Sequence, residues 1–205
     1  MSEHVFAQVI ETPRMWLRCP MPGDGDALYQ CVQQTLAQLQ TWPDSLPWAL
    51  QPQSPDISED YCQTCYAAWV MGLRWPLLMW DKHTAQLAGS VGFHHINHDT
   101  HTWELGYWCS RAFQGQARMT EAVAALTAYV LEHWPHVRML CRIDTRNLAS
   151  LRVVQKTGFS WKKSESLRSH SRKARRPASC WWPEPSREAA ASRLRCSSCQ
   201  PEWAL

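Results

Sequence analysis

The segment Tyr107-Trp108-Cys109-Ser110-Arg111-Ala112-Phe113-Gln114-Gly115-Gln116-Ala117-Arg118-Met119-Thr120-Glu121-Ala122 carries the most legible chemistry in this sequence. It reads as a strand that runs through a basic, glycine-bearing turn into a helix. The first N–H groups of a helix have no intrahelical acceptor, and the macrodipole adds positive character there, so such a turn suits a pyrophosphate. Small residues let the backbone approach the anion. Taken alone, the segment is equally well explained as an ordinary strand-to-helix turn with one glycine.

Two other clusters invite a chemical reading and carry less. His94, His95, His98 and His101 gather near an expected hairpin tip. Strand alternation sends neighbours to opposite faces, and only Asp99 is near enough in sequence to complete a metal set, so no metal is expected. Cys62-x-x-Cys65 and Cys196-x-x-Cys199 have nominal zinc spacing. The first lies on a helix face with Tyr61 and Trp69, and the second in a stretch of anomalous composition, so buried, reduced thiols are expected instead.

The elements that must position the turn follow from periodicity. Arg14 to Cys19 alternates as a first strand; Gly23-Asp24-Gly25-Asp26 supplies a turn and an N-cap, with helix to about Gln38. Four prolines between Thr41 and Pro55 forbid a continuous helix there. A second helix starts at Asp56-Ile57-Ser58-Glu59 and ends near Gly72. Pro76 to Trp80, Gln86 to His94 and Thr102 to Cys109 form an antiparallel meander. Helix is expected over Thr120 to Glu132 and strand over Val137 to Ile143. A last helix is capped by Asn147, turns Leu148, Leu151 and Val154 inward and stops at Gly158. The predicted order is β-α-α-β-β-β-α-β-α.

Several of these segments resemble the GNAT N-acetyltransferases, and within them the RimJ/RimL-type enzymes that acetylate protein N-terminal amines. Trp103-Glu104-Leu105-Gly106-Tyr107-Trp108 is similar to the family's Glu-x-Gly-Tyr-Trp strand, and Gln114 to Thr120 to its Gln-Gly-x-Gly-x-Met-Thr loop. Asp144 to Phe159 resembles its Asn-x-x-Ser helix ending in Gly-Phe. Trp42 with Leu46-Pro47-Trp48 resembles its tryptophan-proline loop. The likeness spans roughly residues 10–160, in the family's order. It implies an α/β (α+β) GNAT fold, a central mixed, mostly antiparallel sheet flanked by helices. One departure lies in the loop, where Ala117 stands for the second glycine. If the position needs a positive φ or a close approach to the pyrophosphate, alanine costs on the order of 1 kcal/mol in loop strain there, and more in cofactor affinity.

The resemblance further implies acetyl-CoA as co-substrate and an amine that attacks its thioester directly, with no metal. Glu104 becomes the candidate base, directly or through water, and Ser150 the candidate donor to the departing thiolate. Gln114, Gly115, Gln116, Ala117, Arg118, Met119 and Thr120 would hold the cofactor's phosphates, mainly through backbone amides, and Asn147 its pantetheine arm. A solvated strand carboxylate, a first-turn serine and a plain N-cap explain Glu104, Ser150 and Asn147 equally well. The acceptor implied is a ribosomal or other protein N-terminus, or a small amine; a homodimer is compatible.

Composition bounds the rest. The chain has 205 residues, 45% hydrophobic and 19% charged, which suits a globular domain and excludes a disordered polymer. Its longest uncharged apolar run, Tyr66 to Leu73, is too short to span a membrane, and the N-terminus has no apolar signal core, so a cytoplasmic protein is expected. Net charge is −3 over residues 1–159 and +6 over 160–205. The latter stretch has no Val, Ile, Phe, Tyr, Met, Gly, Asp, Asn or Thr, but 10 Ser and 4 Trp. The chain therefore divides into an acetyltransferase-like domain, 1–159, and a basic Ser/Arg/Trp-rich tail, 160–205, expected to be disordered and to leave the C-terminal hairpin incomplete. An altered reading frame would produce such a break, and displaced codons after Phe159 can spell a family-like ending. The competing function is a non-catalytic relative whose basic tail binds nucleic acid or an acidic partner. Nucleic acid is disfavoured, because no RNA-binding module frames Arg172-Lys173-Ala174-Arg175-Arg176.

Overall fold

The computed structural model describes residues 6–162 and 178–183, the last two of the first span and all of the second by backbone alone. Strands β1 (Val9–Glu11), β2 (Met15–Arg18), β3 (Trp75–Asp81), β4 (Leu87–Asn97), β5 (Thr102–Cys109), β6 (Arg138–Asp144), β7 (Phe159–Lys162) and β8 (Ala178–Pro183) form one sheet. Its spatial order is β1-β2-β3-β4-β5-β6-β8-β7. Neighbours are antiparallel except β5 and β6, which are parallel. The helices are α1 (Gly25–Gln33), α2 (Leu36–Leu39), α3 (Pro55–Val70), α4 (Arg118–His133) and α5 (Leu148–Lys156).

β3 shows why the sheet is covered on both faces. Its run Trp75 to Met79 is buried throughout, the signature of a strand with no solvent face. Leu77 and Met79 enter the main core with Val91, Leu105 and Met139 and with Val123, Leu126 and Val130 of α4. Leu78 faces the other way, onto Leu28 and Val32 of α1 and Cys62 of α3. Phe6, Trp69, Trp75, Trp103, Tyr129 and Trp134 close one end of the main core as an aromatic cluster.

The predicted order of elements is present, with differences that have local causes. The first helix stops at Gln33 and resumes as the one-turn α2. Asp24 occupies the N-cap of α1 but makes no cap bond, because its carboxylate is taken by the Arg18 guanidinium at 2.6 Å through both oxygens. Glu59 of α3 substitutes, accepting from the N–H groups of Gly23 (2.9 Å) and Gly25 (3.0 Å). Leu148 does not point inward: at the first helical position of α5 it is 60% exposed, and among the described residues of α5 only Val154 is fully buried.

The expected gap at the sheet's end is a correction. β8 lies between β6 and β7 and pairs antiparallel with both, so β6 has a neighbour and the hairpin strands are paired. The strand is Ala-Ser-Cys-Trp-Trp-Pro. The segment has no Val, Ile or Thr, but tryptophan favours pleated structure as strongly, and the backbone ladder needs no particular side chain. The remaining expectations for the tail lie outside the described residues.

Candidate active site

The parallel pairing of β5 with β6 covers only Thr102, Trp103 and Glu104, opposite Arg138, Met139 and Leu140. Beyond that rung β6 pairs with β8, while β5 runs on to Cys109 alongside β4 alone. The strands part, and their unpaired edges look into a gap. Two cavities flank this length of β5, one of about 460 Å³ and one of about 700 Å³. Leu46, Tyr107 and Trp108 line both.

The smaller cleft collects most of the predicted cofactor residues: Gln114, Gly115, Ala117, Arg118, Met119, Thr120 and Asn147, with Ser150 beside them. Its central feature is the N-terminus of α4, which no side chain caps. Ala117 at the N-cap has φ 58° and ψ 14°, and Gly115 has φ 73°. Two left-handed residues this close turn the chain sharply into α4 and leave its first N–H groups without a side-chain cap, which fits a phosphate. The alanine therefore holds a conformation that costs an L-residue energy.

Side chains around the turn mostly hold it in place. The Gln114 amide donates to Gln38 Oε1 (2.9 Å) and to the Cys109 carbonyl (3.0 Å). Gln116 is not on the cleft wall; its amide donates to the Ala112 carbonyl, and its own carbonyl accepts from Arg14 Nη1. The Arg118 guanidinium turns back to Asp81, Nη1 to Oδ2 2.6 Å, a carboxylate with a wholly buried side chain. Burial alone would raise the Asp81 pKa. Hydrogen bonds from Thr84 and His83 and the Arg118 charge outweigh it and hold the carboxyl below the usual range. Glu121 on the first turn of α4 accepts from Arg14 N (3.0 Å) and Nε (2.6 Å), tying the helix to β2.

Asn147 is an N-cap in the structure, its Oδ1 accepting from Ser150 N at 3.1 Å. The Tyr107 hydroxyl donates to the Ser150 carbonyl at 2.9 Å. Burial pushes the Tyr107 phenol well above its ordinary value, so it stays protonated. In the sequence Tyr107 stands out only as part of the Trp103 to Trp108 motif. Its place between the cavities depends on the parting of β5 from β6, which no local pattern announces.

Glu104 lies apart from the cofactor residues, in the larger cavity, where Oε2 meets Arg142 Nη1 at 2.7 Å. His94 and His95 of β4, Arg74, Tyr61, Trp48 and Trp108 share this cavity. His94 is the extra residue of a bulge, since Phe93 pairs with Leu105 and His95 with Glu104. Its ring sits over Gly106, where a Cβ would come within 2.8 Å of Cδ2. His94 is exposed as a residue, yet the ring is crowded on this shelf. Desolvation there, then the positive charges of His95 and Arg74, lower its pKa to about 4. Among the described residues no group of three or more His, Cys, Asp or Glu could hold a metal ion.

A strand parting from its parallel neighbour beside an uncapped, glycine-turned helix leaves an open backbone edge next to an anion cradle, which suits an extended ligand with phosphate at one end. Residues 14–160 match the acetyltransferase (GNAT) domain, and the chain belongs to that family. It is an N-acetyltransferase whose co-substrate is acetyl-CoA, and the residues of the smaller cleft fit that molecule's phosphates. The chain is 24% identical over 164 residues to the Bacillus subtilis protein named "Putative ribosomal N-acetyltransferase YdaF", covering 77% of this chain and 79% of that one. Its fold matches the Salmonella typhimurium acetyltransferase that modifies the N-terminal serine of ribosomal protein L7/L12 (TM-score 0.71, 21% identity, 85% of this chain and 97% of that one). It also matches the microcin C7 self-immunity acetyltransferase MccE, solved with acetyl-CoA and AMP (TM-score 0.73, 19% identity, 87% and 97% covered). Among the described residues no helix is long and apolar enough to cross a membrane.

Proposed function

We propose that this chain transfers an acetyl group from acetyl-CoA to the α-amine at the N-terminus of a ribosomal or other cytoplasmic protein. The observation that carries this reading is the meeting of the two cavities at Tyr107 and Trp108. One cavity offers an anion cradle, the other a carboxylate, and the gap between β5 and β6 joins them. Acetyl-CoA, when bound, supplies the electrophilic thioester carbon.

Each residue then has a role. The N–H groups at the start of α4 bind the pyrophosphate, with Gly115 and Ala117 setting their direction and Gln114, Gln116 and Arg118 bracing the turn. The unpaired edge of β5 and Asn147 hold the pantetheine arm. Glu104, oriented by Arg142, takes the proton from the attacking amine, directly or through water. As the carbon–nitrogen bond forms and the carbon–sulfur bond breaks, the sulfur needs a proton. Ser150 Oγ has no hydrogen-bond partner among the described residues and serves as the donor to it. Tyr107, protonated at the junction, is the second candidate for that step. The unit doing this is the domain 1–159, completed by β8.

Glu104→Gln tests the assignment. The substitution removes the base and keeps the shape, so kcat should fall about a hundredfold or more while acetyl-CoA affinity stays within about twofold. An unchanged kcat would remove Glu104 from the mechanism.

A further inference from the structure

The larger cavity holds a guanidinium that no carboxylate pairs with among the described residues. Arg142 is matched by Glu104. Arg74, half-buried just before β3, also lines the cavity, and no carboxylate pairs with it among the described residues. Asp44 is the other acid on the wall and is exposed, with its field felt by Arg146 outside this cavity. The positive field of Arg74 reaches Tyr61 and His94, both on the cavity wall.

The sheet fixes where that charge stands relative to the base. Trp75 pairs with Phe93, so Arg74 lies across from His94; His95 pairs with Glu104. Arg74 and Glu104 are therefore two strand spacings apart, roughly 10 Å along the sheet. An extended peptide advances about 3.3 Å per residue. With its terminal amine at Glu104, a peptide would bring the side chain of its second or third residue to Arg74. Trp48, Tyr61 and Trp108 supply apolar walls for the intervening atoms.

We propose that the acceptor is an acidic N-terminus: a peptide whose amine enters beside Glu104 and whose second or third residue is Asp or Glu, paired with Arg74. This rests on the acceptor-amine reading above and adds the chemistry of the acceptor. A guanidinium suits the partner, because it forms planar, two-pronged hydrogen bonds with a carboxylate.

The full chain, saturated with acetyl-CoA, is titrated with three hexapeptides that share an N-terminal alanine and differ in the next two positions: Glu-Glu, Gln-Gln or Lys-Lys. Binding is read by the fluorescence of the cavity tryptophans and transfer by thiol release. The Glu-Glu peptide should bind about tenfold or more tighter than the Lys-Lys peptide, the range expected for one charge-assisted contact. Arg74→Gln should erase the preference, Arg74→Lys should keep part of it, and Arg74→Glu should reverse it. Equal binding of the three peptides to the wild type, or the same preference in Arg74→Gln and Arg74→Glu, overturns the inference. Free glutamate or phosphoethanolamine binding as tightly as the Glu-Glu peptide overturns the peptide and gives the site to a small anionic amine. If no peptide yields thiol release, the N-terminal amine fails as the acceptor, while the binding series still decides the role of Arg74.

Discussion

Ala117→Gly separates two consequences of one methyl group. Ala117 holds φ 58° and ψ 14° at the N-cap of α4, a left-handed conformation that costs an L-residue about 1–2 kcal/mol. Glycine removes that strain but adds roughly 0.4–1 kcal/mol of backbone entropy to the unfolded chain. The net gain is about 0.5–1 kcal/mol, which raises the melting temperature of a domain this size by about 1–4 °C. Strain is present with and without ligand, so it contributes nothing to affinity. Affinity changes only through the Cβ, which stands on the wall of the smaller cleft. Removing one crowding carbon is worth about 1 kcal/mol, or about fivefold in the acetyl-CoA dissociation constant. Thermal denaturation of the free protein reads the first effect and calorimetric titration with acetyl-CoA the second. A lower melting temperature in Ala117→Gly would show that no strain is stored there. An unchanged or weaker dissociation constant would show that the turn does not approach the phosphates.

Asp81→Asn leaves the Arg118 charge without its buried partner and should cost about 3 kcal/mol of stability in a denaturant titration. Because Asp81 is held below the usual carboxylate range, its contribution is complete above that range and is lost as pH falls through the folded-state pKa. The acid limb of the stability profile should therefore be shallower in the variant. His94 should titrate by NMR near 4, and Gly106→Ala, whose Cβ displaces the ring from its shelf, should move that value up toward 6.5. Between those two values the unfolded chain binds a proton that native His94 refuses, so wild-type stability should decline as pH drops through that window.

What was legible in the sequence was what neighbours in the chain decide. The strand-turn-helix from Tyr107 to Ala122 and the Asn147 cap are local patterns, and both stand in the structure. At position 117 the family resemblance, with glycine expected there, left open a positive φ or a close approach, and the structure has φ 58°. Long-range partners were not legible. Asp81 claims Arg118, and Glu59 caps α1, through contacts that no spacing signals. Glu104 and Ser150 were read as members of one site, yet they line different cavities, because β5 and β6 pair for only three rungs before parting. Strand β1 has three residues, too few for periodicity to register. β8 carries no β-branched residue and ends in proline, so its two tryptophans alone do not mark it as a strand.

The strand order also imposes a sequence of events on the nascent chain. β6 and β7 leave the ribosome before β8, yet in the finished sheet β8 lies between them, and among the described strands the only neighbour of β7 is β8. During synthesis β6 therefore waits with one edge open, and β7 has no native partner at all. A direct β6–β7 ladder formed in that interval would have to come apart before the sheet could close. Among the described strands β8 arrives last, and it decides whether the cleft between β5 and β6 has a fixed wall, so the enzyme should gain its function late, after translation of its core is complete.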